Sequence, residues 1–135
     1  MKEFNWPIRV YYEDTDSAGV VYHSNYLRFM ERARTEWLRE LGYTHNRLSE
    51  EENLVFVVSS MNIDFKKPAC FDELLNVYSR ITKLTGSSLV FEQIVINKAD
   101  ETKCRADVYI ACVDAITFKP KRIPAAIRAE FNYDD

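Results

Sequence analysis

The stretch Tyr12-Glu13-Asp14-Thr15-Asp16-Ser17-Ala18-Gly19-Val20-Val21-Tyr22-His23 separates two segments of different period. Before it, Ile8, Val10 and Tyr12 alternate with Arg9, Tyr11 and Glu13, the period-two pattern of a strand. After it, Tyr26, Phe29, Met30, Ala33, Trp37 and Leu41 recur at spacings of three and four, with Arg28, Glu31, Arg32, Glu36, Arg39 and Glu40 between them. That is an amphipathic helix from Asn25 to Leu41. Ser24 is a better cap for it than His23, and Gly42 is a natural stop at C′. An acidic turn with a glycine therefore runs from a strand straight into a long helix. Such a turn aims a carboxylate and unpaired backbone N–H groups at one spot.

Beyond the helix, Thr44 to Glu52 is polar and reads as a short second helix or a lid loop. Val55, Val57, Met61, Ile63 and Phe65 share a parity, giving a strand that ends before Pro68. Leu75, Val77 and Ile81 form another, with Ser79 breaking its apolar pattern. Gly86 lies in a short connection that suggests a hairpin. Leu89 to Ile96 is strand-like, and Asn97 to Lys103 reads as a turn. Cys104, Ala106, Val108, Ile110, Cys112, Ile116 and Phe118 line one side of a long last strand that Pro120 ends. Pro124 opens a C-terminal helix through about Phe131, followed by a frayed Asp134-Asp135 tail. The order strand, helix, four strands with short connections predicts an α+β fold: a largely antiparallel five-stranded sheet wrapping one long central helix. One sheet around one helix leaves edges and a face uncovered, so a homo-oligomer is expected.

A chain of 135 residues fits a single domain spanning 1–135. A net charge of −3 gives no global basic field for nucleic acid. The three cysteines, Cys70, Cys104 and Cys112, form no C-x-x-C pair. On one strand, Cys104 and Cys112 stand about 27 Å apart at ~3.3 Å per residue, too far for a disulfide. A reduced, cytoplasmic setting follows. The N-terminus lacks an apolar signal core, and no apolar run is long enough to span a bilayer.

The acidic turn admits three readings. One is a solvated turn whose carboxylates favour the positive end of the helix dipole. A second is a calcium loop, since Asp14-x-Asp16-x-x-Gly19 matches its opening. That match fails at Ala18, and at Asn25 where a bidentate Glu belongs. The third is catalysis. Asp16 lies seven residues before His23, at the mouth of the helix. Unpaired N–H groups there can polarise a carbonyl, each donor being worth roughly 3 kcal/mol in known hydrolases. Asp16 then attacks the carbonyl or takes a proton from water. Histidines at helix starts are also common as surface or capping residues, and His45 sits in a polar stretch. Two histidines and no C-x-x-C argue against structural zinc. The patterns G-x-S-x-G, G-x-G-x-x-G and the P-loop are all missing.

The run from Arg9 to Tyr26 resembles the active-site signature of the 4-hydroxybenzoyl-CoA thioesterase family. It is nearer to the YbgC-type branch, acyl-CoA thioesterases linked to the Tol–Pal envelope system. Glu31 to Leu38, Gly86 to Phe91 and Lys119 to Pro124 resemble later segments of that branch, so the likeness runs from about Ile8 to Phe131. Ser17-Ala18 stands where the branch often has Ala-Gly. The resemblance implies a hotdog fold, paired into a dimer and often a tetramer, with the site at a subunit interface. It implies Asp16 as the catalytic carboxylate and the backbone N–H of His23 as the carbonyl-polarising donor.

The same turn supplies Tyr12, Gly19, Val20, Tyr22 and Ser24 as candidate substrate contacts. Tyr11, Tyr12, Tyr22, Tyr26 and Phe29 line an acyl pocket or belong to the core. Lys66, Lys67, Lys119, Lys121 and Arg122 meet CoA phosphates or form a solvated basic face. The expected activity is hydrolysis of an acyl-CoA or acyl carrier protein thioester without metal or bound cofactor, CoA being a product. Two alternatives stand beside it: an acyl-thioester hydratase or dehydratase using a histidine side chain, and a non-catalytic acyl-thioester-binding module of the envelope or lipid system.

Overall fold

The computed structural model describes residues 3–131; the tail Asp134-Asp135 lies outside them. In chain order the elements are β1 (Glu3–Arg9), α1 (Asn25–Glu40), α2 (His45–Glu52), β2 (Leu54–Phe65), β3 (Leu74–Leu84), β4 (Ser88–Asn97), β5 (Thr102–Asp114) and α3 (Ala125–Phe131). The strands form one five-stranded sheet in the order β1-β3-β4-β5-β2. Every pairing is antiparallel. Tyr26, Phe29, Met30, Ala33, Trp37 and Leu38 of α1 share one buried cluster with Leu75, Val77 and Ile81 of β3, Phe91 and Val95 of β4, and Ala106 and Val108 of β5. The amphipathic stripe thus packs on the inner face of the sheet. Burying each of these large side chains contributes about 1.5–3 kcal/mol.

The end of α1 follows from its glycine. Gly42 has φ +99°. Its N–H donates to the Arg39 carbonyl, and the Tyr43 N–H reaches back to the Leu38 carbonyl, a Schellman closure that satisfies the last carbonyls of the helix. At the other end Ser24 occupies the N-cap position in αR conformation, and its side chain makes no cap hydrogen bond. The expected Ser24 cap is therefore not formed, which leaves first-turn donors unclaimed. Thr44 does cap α2, its hydroxyl accepting from the Arg47 N–H.

Several expectations need correction. The first strand ends at Arg9, and Tyr12 lies in a 3₁₀ turn, Tyr12–Asp14. In β2 the register shifts between Val58 and Ser60. Phe56 and Val58 therefore stand opposite the buried Cys112 and Ile110, whereas Val55 and Val57 stand opposite Val113 and Ala111. Past the bulge, Met61, Ile63 and Phe65 take the inner face opposite Val108, Ala106 and Cys104. One extra residue exchanges the faces of a strand, so Val55 and Val57 do not share a side with Met61, Ile63 and Phe65. Ser79 does not interrupt its strand: it is buried and accepts from Gln93 Nε2 at 2.9 Å. The last strand stops at Asp114. Asp114 Oδ1 accepts the Ile116 and Thr117 N–H groups, turning the chain, and Ile116 and Phe118 are exposed. Cys70, Cys104 and Cys112 are all free thiols, and burial pushes Cys104 up to about 12. Among the described residues no helix is long and apolar enough to cross a membrane.

A Cβ at Gly42 would meet nothing within 4 Å. The cost of Gly42→Ala is therefore purely conformational, and denaturant unfolding is expected to report a loss of about 1 kcal/mol.

Candidate active site

The acidic turn folds as a small hairpin. Thr15 bridges Val21 antiparallel, and Val20 bridges Cys70. The Asp16 N–H donates to the Val20 carbonyl at 2.9 Å, and the Tyr22 N–H donates to the Asp14 carbonyl at 3.0 Å. Gly19 turns the tip with φ +81°, a conformation that glycine adopts without a Cβ penalty. The two aspartates have opposite fates. Asp14 is buried; its Oδ2 accepts the Tyr11 N–H at 2.8 Å and its Oδ1 accepts Asn25 Nδ2 at 3.0 Å. Asn25 is the first residue of α1. Asp14 therefore fastens the turn to the helix start. Asp16 is exposed, and its Oδ1 accepts the Ala18 N–H at 2.8 Å. Its other carboxylate oxygen has no protein partner among the described residues.

At the base of the hairpin the Asn25 N–H donates to the Tyr22 carbonyl, and the Leu27 N–H to the Ser24 carbonyl. Among the described residues the backbone N–H groups of His23 and Ser24 have no acceptor. Asp16 and the His23 N–H thus belong to one hydrogen-bonded loop at the positive end of a 16-residue helix. Among the described residues no hydrogen bond or ion pair joins their side chains. The His23 ring lies tilted at 42° against Tyr22 with centroids 4.4 Å apart and meets Phe65 edge-on at 6.0 Å. It pairs with no carboxylate among the described residues.

A groove of about 230 Å³ opens beside this loop, lined by Val21, His23, Tyr26, Phe65, Lys66 and Lys67. The candidate contacts divide around it. Tyr12 is 80% exposed and leans edge-on against Phe71, away from the helix stripe. Tyr22 is half exposed, and Tyr11 is exposed. Tyr26 and Phe29 are core residues, and the Tyr26 hydroxyl accepts the Ala69 N–H at 3.0 Å, with burial raising its pKa. Val20 and Gly19 shape the hairpin, and Ser24 presents its free N–H. Of the basic residues, Lys66 and Lys67 line the groove; Lys67 also pairs with Glu101 at 3.2 Å. Lys121 is committed elsewhere, its Nζ donating to the carbonyls of Glu52 and Asn53 at the end of α2. Sequence reasoning gave no role to Asn25 and placed Phe65 only in a strand. The signal available for Asn25 is a polar residue at the first position of an amphipathic helix, nine residues after Asp16.

Residues 18–104 match the family model of the thioesterase superfamily. The chain is 44% identical over 128 residues to the acyl-CoA thioester hydrolase YbgC of Escherichia coli O6:H1, covering 95% of each. It is 44% identical over 130 residues to the acyl-CoA thioesterase YbgC of Haemophilus influenzae, covering 96% of this chain and 95% of the relative. Its structure resembles that of a probable thioesterase from Bartonella henselae with TM-score 0.85 and 40% identity, over 91% of this chain and 100% of that one. A five-stranded antiparallel sheet packed on α1, with a carboxylate turn feeding the helix, defines a hotdog-fold thioesterase domain. The chain belongs to the thioesterase superfamily, and within it to the YbgC type.

The two aspartates are expected to separate in equilibrium unfolding. Asp14→Ala leaves the buried Asn25 amide without its partner and should cost about 1–3 kcal/mol. Asp16→Asn keeps an oxygen for the Ala18 N–H and should stay within about 0.5 kcal/mol of wild type.

Proposed function

We propose that this chain hydrolyses acyl-CoA thioesters, with Asp16 as nucleophile or general base and the His23 backbone N–H as oxyanion donor. The observation that carries this reading is an exposed carboxylate with a free oxygen in the same loop as two unclaimed N–H groups at a helix start. The thioester carbonyl oxygen sits at those N–H groups, where the helix end favours the developing negative charge. Either Asp16 removes a proton from water as the water oxygen bonds to the carbonyl carbon, or Asp16 bonds to that carbon itself. In both routes the C–S bond breaks and the thiolate leaves, to be protonated. In the second, water then clears the mixed anhydride. No resident metal or cofactor takes part; CoA leaves as product, and an acyl carrier protein is a further possible thiol carrier.

The aromatic walls from Phe65 and Tyr26 suit an acyl group, and Lys66 and Lys67 suit CoA phosphates at the same groove. Assembly into a homo-oligomer is part of the proposal. Among the described residues β2 pairs only with β5, which leaves its other edge open along Val55-Phe56-Val57-Val58-Ser59-Ser60-Met61, a run without charge. Such an edge is a template for a second chain. A cytoplasmic location and a peripheral link to envelope machinery, which the sequence resemblance implies, go with this reading. The His23 ring, packed against Tyr22 and Phe65 and without a carboxylate partner among the described residues, favours hydrolysis over a histidine-driven hydratase.

The test is thiol release from short, long and aromatic acyl-CoAs. Wild type should turn over at least one member of the panel. Asp16→Asn should lose roughly 10²-fold or more, while His23→Ala, which keeps its backbone N–H, should retain a sizeable fraction. Abolished thiol release in His23→Ala would assign the chemistry to the imidazole and overturn the backbone N–H assignment; equal rates in wild type and Asp16→Asn, or no release at all, would overturn the proposal.

A further inference from the structure

A second cavity, of about 150 Å³, lies further along α1, walled by Trp37, Leu38, Phe56, Phe91 and Phe131. None of the residues of the acidic hairpin lines it. Its one guanidinium is that of Arg34, ten residues beyond Ser24 and so about 15 Å along the helix. Arg34 donates from Nη1 to Gln93 Oε1 at 2.8 Å. Gln93 is fully buried, and its amide is locked: Nε2 donates to the Met30 carbonyl at 3.0 Å and to Ser79 Oγ at 2.9 Å. The amide oxygen is thereby held toward the arginine.

Arg34 is under-compensated. A guanidinium carries five N–H donors, and this is its one side-chain hydrogen bond among the described residues. No carboxylate there lies within 4.0 Å of it. The carboxylate of Glu31, also on the rim, instead accepts the Thr35 hydroxyl at 2.7 Å. Burial depresses the Arg34 pKa, which Glu31 opposes. An apolar cavity with a cation on its wall selects a ligand with an apolar body and an anionic oxygen head. A cavity near 150 Å³ lined by apolar side chains holds a benzene ring. The body that fits is therefore one aromatic ring or a short alkyl chain.

We propose that this cavity is a binding site for a small carboxylic acid, its carboxylate on Arg34 and its ring or chain among Trp37, Phe56, Phe91 and Phe131. If the hydrolysis proposed above is correct, this is the chemical class that the reaction releases, and the cavity holds product apart from Asp16. The binding itself does not depend on that reading.

Calorimetric titration of the full chain with benzoate, hexanoate and the neutral isostere benzamide tests it without any turnover. Wild type should bind benzoate saturably and prefer it to benzamide. Arg34→Met should weaken benzoate binding by about tenfold or more and abolish the preference, while Glu31→Gln, which removes a repelling charge, should tighten it. Asp16→Asn should bind as wild type does, separating this site from the catalytic loop. Should Arg34→Met fail to fold, Phe56→Trp, which fills the cavity from β2, serves in its place and should block binding. Absence of saturable benzoate or hexanoate binding to wild type at millimolar concentration, or binding unaffected by these changes, overturns the proposal.

Discussion

The carboxylate of Asp14 is the constraint on which the site depends. It accepts one hydrogen bond from the Tyr11 N–H, where the chain leaves the first strand, and one from Asn25, where α1 begins. A buried carboxylate must find donors, and these two come from opposite ends of the loop. The loop between them is thereby closed, with its tip turned by Gly19 and its two arms bridged at Thr15 and Val21. Asp16 stands outside this closure, free of burial. The sequence places two aspartates one residue apart, and the fold buries one and leaves the other exposed.

The rest of the molecule holds the helix start in place. The apolar stripe of α1 packs on β3, β4 and β5, and the bulge in β2 brings Phe65 to the same inner face as Met61 and Ile63. Phe65 then meets both His23 and Tyr26. The backbone of Ala69 closes the other side, its N–H bonded to the Tyr26 hydroxyl and its carbonyl accepting the Val21 N–H. The polar chain Ser79–Gln93–Arg34 crosses this core, its links made by Gln93 to Ser79 Oγ and by Arg34 to Gln93 Oε1. It reaches the surface of the second cavity at the guanidinium.

The long elements were legible because their periods are strong. The stripe from Tyr26 to Trp37 and the glycine stop at Gly42 required nothing beyond spacing and backbone sterics. The inner face of β2 was not legible, because a bulge at Ser59 breaks parity without any glycine or proline to announce it. The end of β5 was misplaced since Ile116 and Phe118 continue the apolar alternation, while the side chain of Asp114 turns the backbone first. The acidic turn itself was readable as a carboxylate beside a helix start. The burial of Asp14 beside an exposed Asp16 was not, because it rests on packing and on Asn25, eleven residues from Asp14 in sequence.

The Asp14–Asn25 clamp holds the loop that carries Asp16 and the His23 N–H. The steady-state kinetics of Asn25→Ala test it most directly, using whichever acyl-CoA wild type turns over best. With Asp16 and the His23 N–H both retained, kcat should fall by about tenfold or more while KM changes little, the signature of a group that acts on the transition state through positioning. An unchanged kcat in a folded Asn25→Ala protein would contradict the account.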